Sequence, residues 1–385
     1  MVFCWGMRDD GSPTLSNSLN TEFDRIVGLG SVALVVVTGL LGLDWEWKGA
    51  GQWMLQAYLL WRFVGYQARR RLHLNREDSD APAYEELGWG NRLTLLRSWL
   101  IAAVGGFLFQ PWPDGVVIAY LPGILYFIAS VLDRLDGYVA RMTGYRSLLG
   151  QELDMVSDAL GLAVASLLAV GYGQVHSSYL LFGLAYYLFH GGVMWRERRG
   201  LPVYPLQSAP HRRAWAGFQM GFLVVVLWPL FGPPVTLLAG FAFMFPPLIG
   251  FLIDWLIVSG SIDRQSESAD QFFQKLTKFG QTFAQPALRL AVVVMMAATL
   301  GRSEWLSDLW SGGVVVIGLL ILLGVAGRVA CLLLIALLSW RYSGHAACVI
   351  DLALFCSTVW LMLLGTGRLS LWQGDEYWIN RYDGA

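Results

Sequence analysis

The chain is poor in charge. Of its 385 residues only 14% are Asp, Glu, Lys or Arg, while 56% are hydrophobic; soluble domains carry about 25% charged residues. That shortage excludes soluble, fibrous and disordered classes. An excess of one sign is missing too: 27 basic against 28 acidic residues leave a net charge of −1, so no nucleic-acid partner is expected and any electrostatic logic must be local. Cysteine is scarce. Cys4, Cys331, Cys348 and Cys356 show no regular spacing and three lie in apolar runs, which indicates neither a disulfide framework nor a zinc site. The first 25 residues are polar and the first apolar run starts at Ile26, so no cleaved signal peptide is expected. There is no tandem repeat and no low-complexity tract.

What the chain does have is a series of separate apolar runs. Windows at 26–43, 50–68, 91–109, 114–135, 150–171, 178–195, 214–231, 234–257, 287–300, 312–326, 328–340 and 346–364 predict an all-α integral membrane protein with about twelve transmembrane helices. Windows 287–300 and 328–340 are short for a crossing, and 50–68 has an interfacial alternative. Arginine and lysine cluster in every second connection, at 69–76, 134–146, 196–213 and 264–289. Basic loops stay inside, so both termini and the 136–150 turn are expected to be cytoplasmic. Trp45, Trp47, Trp112, Trp305 and Trp310 fall in the short outer loops, where an aromatic belt would anchor the helix ends. Residues 69–90 read as a charged linker ending in a short surface helix. Residues 261–286 read as an amphipathic connector with Phe272, Phe273, Leu276, Phe279 and Phe283 on one side, suited to an anionic leaflet or simply to joining two blocks.

The informative segment runs from Asp133 to Asp158, DRLDGYVARMTGYRSLLGQELDMVSD. Asp133 and Asp136 are three apart at the end of one window; Asp154 and Asp158 are four apart near the start of the next. Each pair shares a helical face, so two antiparallel helices can aim four carboxylates at one point. Ionisable groups inside a membrane cost about 3 kcal/mol or more each and persist where they face one another, a cavity or an ion. Four carboxylates together repel without cations, and hard oxygen ligands suit Mg²⁺ or Mn²⁺. Two such ions would leave the cluster able to accept an anionic phosphate, which makes a two-metal phosphoryl site the expectation. Gly137 removes a side chain beside Asp136, Ala140 keeps that face shallow, Arg141 offers a planar fork, and Gly150, one turn before Asp154, admits a flat ring.

These residues resemble the CDP-alcohol phosphotransferase signature, D-x2-D-G-x2-A-R-x8-G-x3-D-x3-D, at every fixed position. Upstream, NRLTLLR with Asn91, Thr94 and Arg97 is similar to the family's first-helix element, with Gly90 where that element has proline. The resemblance covers about 86–260 and implies a six-helix core. It implies that Asp133, Asp136, Asp154 and Asp158 ligate two divalent ions, Mg²⁺ or Mn²⁺, and that Asp158 is also the general base. Asn91, Thr94, Gly137, Ala140 and Gly150 would border the nucleotide, with Arg141 near the diphosphate or bracing the carboxylates. The implied reaction is attack of an alcohol on a CDP-linked donor, CDP-diacylglycerol foremost, with release of CMP in phospholipid biosynthesis. A soluble CDP-alcohol with a diacylglycerol-type acceptor is the enzymatic alternative; a divalent-cation transporter or a silent lipid-binding protein is the alternative from another class. The stretch LDMVSDA leaves the acceptor open. Arg146 is a candidate for an acceptor phosphate. Arg196, Arg198, Arg199, Arg212 and Arg213 read either as a head-group site or as the positive-inside signature alone.

The expected organisation is therefore a cytoplasmic segment, helical hairpin and linker at 1–85, the CDP-alcohol phosphotransferase core at 86–260, the amphipathic connector at 261–286, and a C-terminal four-helix bundle with a tail at 287–385. That bundle, with GLLILLGVAGRVACLLLIALL and LLGTGRLSLW, resembles DoxX-type small membrane proteins. Asp351 falls inside its last window, which reads as a functional intramembrane acid or as a hydrogen bond to Ser357 or Thr358. Membrane lipids and a second copy of the chain are the further partners expected.

Overall fold

A computed structural model describes residues 17–206, 210–262, 267–300, 308–343, 348–367, 369–372 and 374. Among the described residues the chain is helical, with one isolated bridge between Val325 and Trp372. In chain order the helices are α1 (Asn17–Asp44), α2 (Trp47–Arg71), α3 (Gly88–Gly105), α4 (Val116–Met142), α5 (Leu148–Gly171), α6 (Leu180–Gly183), α7 (Ala185–Arg198), α8 (Pro210–Val226), α9 (Val235–Val258), α10 (Glu267–Phe279), α11 (Gln285–Leu300), α12 (Asp308–Leu323), α13 (Gly327–Tyr342) and α14 (Val349–Leu364). Five stretches are long and apolar enough to cross a membrane: Asn17–Asp44, Val117–Met142, Leu148–Gly171, Val235–Val258 and Gln271–Leu300. Ala214–Val226, Gly312–Leu323 and Val349–Leu364 are apolar but shorter. Fewer helices than the twelve windows therefore meet the length requirement on their own.

One join works the other way and gives the short 287–300 window the length to cross. The expected connector and the 287–300 span are a single helical run, since α10 passes into α11 through a π turn at Gly280–Ala284. Pro286, at the second position of α11, cannot donate a backbone hydrogen bond, and the ladder widens immediately before it. Phe272, Leu276, Phe279 and Phe283 line this run at helical spacing and are all exposed.

The chain divides into two compact units: Val2–Tyr187 with Met220–Leu230, and Leu188–Gln219 with Phe231–Ala385. In the first, α1 and α2 form a hairpin in which the Trp61 indole lies against Gly30, where a Cβ would sit 2.7 Å from the ring, and its Nε1 donates to Val27 O at 3.0 Å. The linker is ordered by its own contacts and contains no surface helix beyond the 3-10 turn Leu72–Leu74. Asn75 donates to Glu86 O at 2.7 Å, and Tyr84 stacks on Tyr145 with centroids 4.1 Å apart. Tyr145 in turn donates to Glu86 O at 2.7 Å.

In the second unit, indole hydrogen bonds tie α8 and α9 to α14. Trp215 donates to Leu363 O and Trp360 to Ala242 O, each at 3.0 Å. Helix α9, which the 86–260 boundary groups with the carboxylate helices, thus belongs to the compact unit of the C-terminal helices. The GTGRLSL motif builds an arginine clamp here. Gly365 and Gly367 take φ of 88° and 81°, conformations that favour glycine. The turn they allow lets buried Arg289 donate to Thr366 O at 3.2 Å, Ser370 Oγ at 2.9 Å and Leu369 O at 3.0 Å. Asp351 lies in the first turn of α14 rather than mid-span. Its carboxylate accepts from Cys348 N at 3.0 Å and from Thr299 Oγ1 at 3.3 Å, while Thr358 bonds its own helix at Leu354 O. It is a capping residue.

Candidate active site

Three helices of the first unit converge, each because of a small residue or a short hydroxyl contact. Gly90 on α3 faces α4, where a Cβ would lie 2.9 Å from Ala140 Cβ. Glycine at this position therefore permits the α3–α4 approach, and Ala140 is a packing partner as much as a shallow face. Ser98 and Ser157 share a hydrogen bond at 2.6 Å between α3 and α5. Ser147, with extended backbone, caps α5 by accepting from Gly150 N at 3.0 Å. Buried Asn91 reaches the same cap: its Nδ2 lies 3.0 Å from Ser147 Oγ, 2.7 Å from Leu87 O and 3.0 Å from Asn75 Oδ1. A Cβ on Gly150 would meet Asn91 Oδ1 at 2.6 Å, so Gly150 sits at the α3–α5 contact.

With the helices so placed, the four aspartates surround one side chain, Arg97 of α3. Its guanidinium is almost fully buried, with 2% of the side chain exposed. Nη1 donates to Asp133 Oδ1 in a short bond and lies 3.5 Å from Asp136 Oδ2. Nη2 donates to Asp154 Oδ1 at 3.0 Å and to Asp154 O at 3.1 Å, and meets Asp158 Oδ1 at 3.2 Å. A buried charge is tolerated only with partners of this quality. The forked, planar guanidinium suits the task, since two prongs can each address two carboxylates.

The carboxylates are not equivalent. Asp136 is 7% exposed, accepts from Thr94 Oγ1 at 2.9 Å and from its neighbour's backbone at Gly137 N, 2.6 Å away. Asp133, Asp154 and Asp158 are 26%, 48% and 38% exposed. One carboxylate oxygen from each of these three can be chosen so that all lie within 4.8 Å of one another, a hard-oxygen donor set that suits Mg²⁺ or Mn²⁺. Four carboxylates around one guanidinium leave a formal charge of −3. Arg97 lowers the negative excess without cancelling it, so the residues fit a divalent cation. Arg97 thus offsets part of the repulsion expected of four carboxylates brought together.

Of the other predicted site residues, Gly137 faces space where a Cβ would meet only Arg141, at 3.3 Å from Nη1. Arg141 and Arg146 are exposed on the same end of the unit as the aspartates. Arg196, Arg198 and Arg199 belong to the second unit, where Arg196 donates to Pro202 O and Ser259 O at 3.0 Å each. The side chains of Arg212 and Arg213 lie outside the described residues.

Residues 89–255 match the family model described as CDP-alcohol phosphatidyltransferase. Among curated proteins, the chain is 34% identical over 91 residues to the CDP-diacylglycerol--glycerol-3-phosphate 3-phosphatidyltransferase of Cereibacter sphaeroides. That match covers 22% of this chain and 38% of the relative, well under two thirds of its length. No solved structure matches the chain.

Proposed function

We propose, because residues 89–255 match the family model described as CDP-alcohol phosphatidyltransferase, that the chain transfers a phosphatidyl group from CDP-diacylglycerol to a small alcohol and releases CMP. The observation that carries this reading is the set of four aspartates on two helices around a buried arginine, three of them partly exposed. Asp133, Asp154 and Asp158 would hold divalent cations, with the Asp136 charge adjoining. Two such ions would turn the local charge from −3 to +1 and so favour a diphosphate. When bound, they supply electrostatic stabilisation of the charge that develops on the departing CMP phosphate.

The chain's own residues supply orientation and proton transfer. Arg97 fixes all four carboxylates from one side, so the donor set is preorganised before substrate arrives. Asp158, partly open to solvent, takes the proton of the acceptor hydroxyl as it attacks the β-phosphorus. The bond from that phosphorus to the CMP oxygen breaks as the new ester forms, and no residue is modified. Gly137 leaves room beside Asp136, and Arg141 presents its fork to the diphosphate. Thr94 holds Asp136, and Asn91 with Gly150 sets the α3–α5 spacing on which the nucleotide face depends. The alternation of basic connections supports a site at the cytoplasmic side of the membrane.

The relative's name makes glycerol 3-phosphate the first acceptor to try. The test is purified full-length chain in detergent with CDP-diacylglycerol, Mg²⁺ or Mn²⁺, and a panel of alcohols, read by CMP release and mass spectrometry of the lipid. CMP with a matching new phospholipid supports the proposal. Turnover only with soluble CDP-alcohols and diacylglycerol would replace the donor assignment, and silence with every CDP-linked donor would overturn it.

A further inference from the structure

Just beyond the carboxylates, toward the middles of α3, α4 and α5, the first unit holds a partly open cavity of about 10 Å³. That is at the lower edge of what one water needs, far too small for a substrate. Its polar lining is Arg97, Tyr126, Ser130, Asp133, Ser157 and Asp158. Tyr126, Ser130 and Asp133 follow one another at i, i+4 and i+7 on a single face of α4. Tyr126 is 2% exposed, and its hydroxyl has no hydrogen-bond partner among the described residues. The two serines do not supply one: Ser130 Oγ donates to the Tyr126 backbone carbonyl at 2.9 Å, and Ser157 Oγ is paired with Ser98. Leaving a buried hydroxyl unsatisfied costs about 1–3 kcal/mol, and a phenylalanine would fill the same space without that cost. A buried tyrosine opening onto a one-water cavity beside two carboxylates needs a reason.

We propose that Tyr126 is a positioning residue: through a single water seated in this cavity, its hydroxyl tethers the Asp158 carboxylate. Of the two carboxylates lining the cavity, Asp133 accepts a hydrogen bond from Arg97, whereas Arg97 and Asp158 meet as an ion pair at 3.2 Å. The more loosely held carboxylate is the one that a second tether orients. This proposal rests on the phosphotransfer reading for its kinetic consequence, but not for its structural one. A water between a phenol and a carboxylate satisfies both groups at little entropic cost. It restrains the base that must meet the acceptor hydroxyl without itself touching the donor.

Two measurements on the full-length chain in detergent test it. The first is a double-mutant cycle of thermal unfolding, with divalent cations chelated, over wild type, Tyr126→Phe, Asp158→Ala and the double variant. The tether predicts that Tyr126→Phe lowers the midpoint in the wild-type background and changes it little once Asp158 is Ala. Additive shifts, or a Tyr126→Phe chain more stable than wild type, would overturn the proposal. The second is steady-state kinetics of Tyr126→Phe, where kcat should fall about tenfold, the worth of one charge-assisted hydrogen bond, with KM for the donor within about twofold. An unchanged kcat, or a loss confined to KM, would overturn it even if Asp158→Ala fails to fold. Absence of CMP release in every variant and in wild type would sink the phosphotransfer reading alone, and the unfolding cycle would still decide the tether.

Discussion

Arg97, Arg289 and Arg328 are the buried arginines among the described residues, and the surroundings of the first two differ in kind. Arg97 is enclosed by four carboxylates, and Arg289 by two backbone carbonyls and a serine hydroxyl. In both, the terminal guanidinium nitrogens are paired while Nε has no hydrogen-bond partner among the described residues. Around Arg289 the partners are neutral, so no surplus of negative charge gathers there and the result is a clamp on the turn after α14. Around Arg97 the partners carry four negative charges, three of them partly exposed, and the surplus asks for cations. Burial of a charged residue is therefore no sign of chemistry by itself; the net charge and openness of its shell are what distinguish a reaction centre from a fastening.

The comparison breaks most visibly at the ligands. Asp133→Ala or Asp154→Ala should lower CMP release by about 10³-fold or more, while circular dichroism shows unchanged helix content, because the helices do not depend on the site to form. Retention of near wild-type turnover at saturating Mg²⁺ would remove the ligand assignment. Next in size is Arg97→Lys, which keeps the charge but loses the fork; turnover should drop about 100-fold, with weaker Mn²⁺ binding by electron paramagnetic resonance. A lysine variant with full activity would show that only the charge matters.

The clamp should respond in stability alone. Arg289→Met leaves the Thr366 and Leu369 carbonyls without their arginine donor and should cost about 2 kcal/mol in detergent unfolding, with turnover per folded molecule unchanged. The smallest effect belongs to Asp351→Ala, which removes the cap of α14 and should cost about 1 kcal/mol. Loss of turnover in folded Asp351→Ala would return that acid to a functional role.

Much of the site was legible because it is local. Asp133, Asp136, Asp154 and Asp158 are fixed by helical spacing on two neighbouring helices, and Thr94 and Asn91 lie one helix before them. The position of Arg97 was not legible: it stood in the NRLTLLR element, but its contacts span 36 to 61 residues, and no periodicity shows which of several arginines turns inward. Gly90 looked like a departure from the family element and proves to be a helix contact with Ala140. Gly150, read as an opening for a flat ring, lies against Asn91, a pairing across 59 residues that spacing cannot reveal. In the fold, apolar windows found the helices but not their joins. A window has no means of seeing that α10 continues into α11 through a π turn, or that α14 starts late enough to make Asp351 a cap.

CMP release from CDP-diacylglycerol, measured side by side for wild type, Asp133→Asn and Arg289→Met with Mn²⁺ present and then chelated, decides whether the Arg97 cluster is the reaction centre. Chelator-reversible release is expected in wild type and, per folded molecule, in Arg289→Met, and almost none in Asp133→Asn. Metal-dependent release that survives Asp133→Asn, or falls equally in both variants, would contradict that assignment.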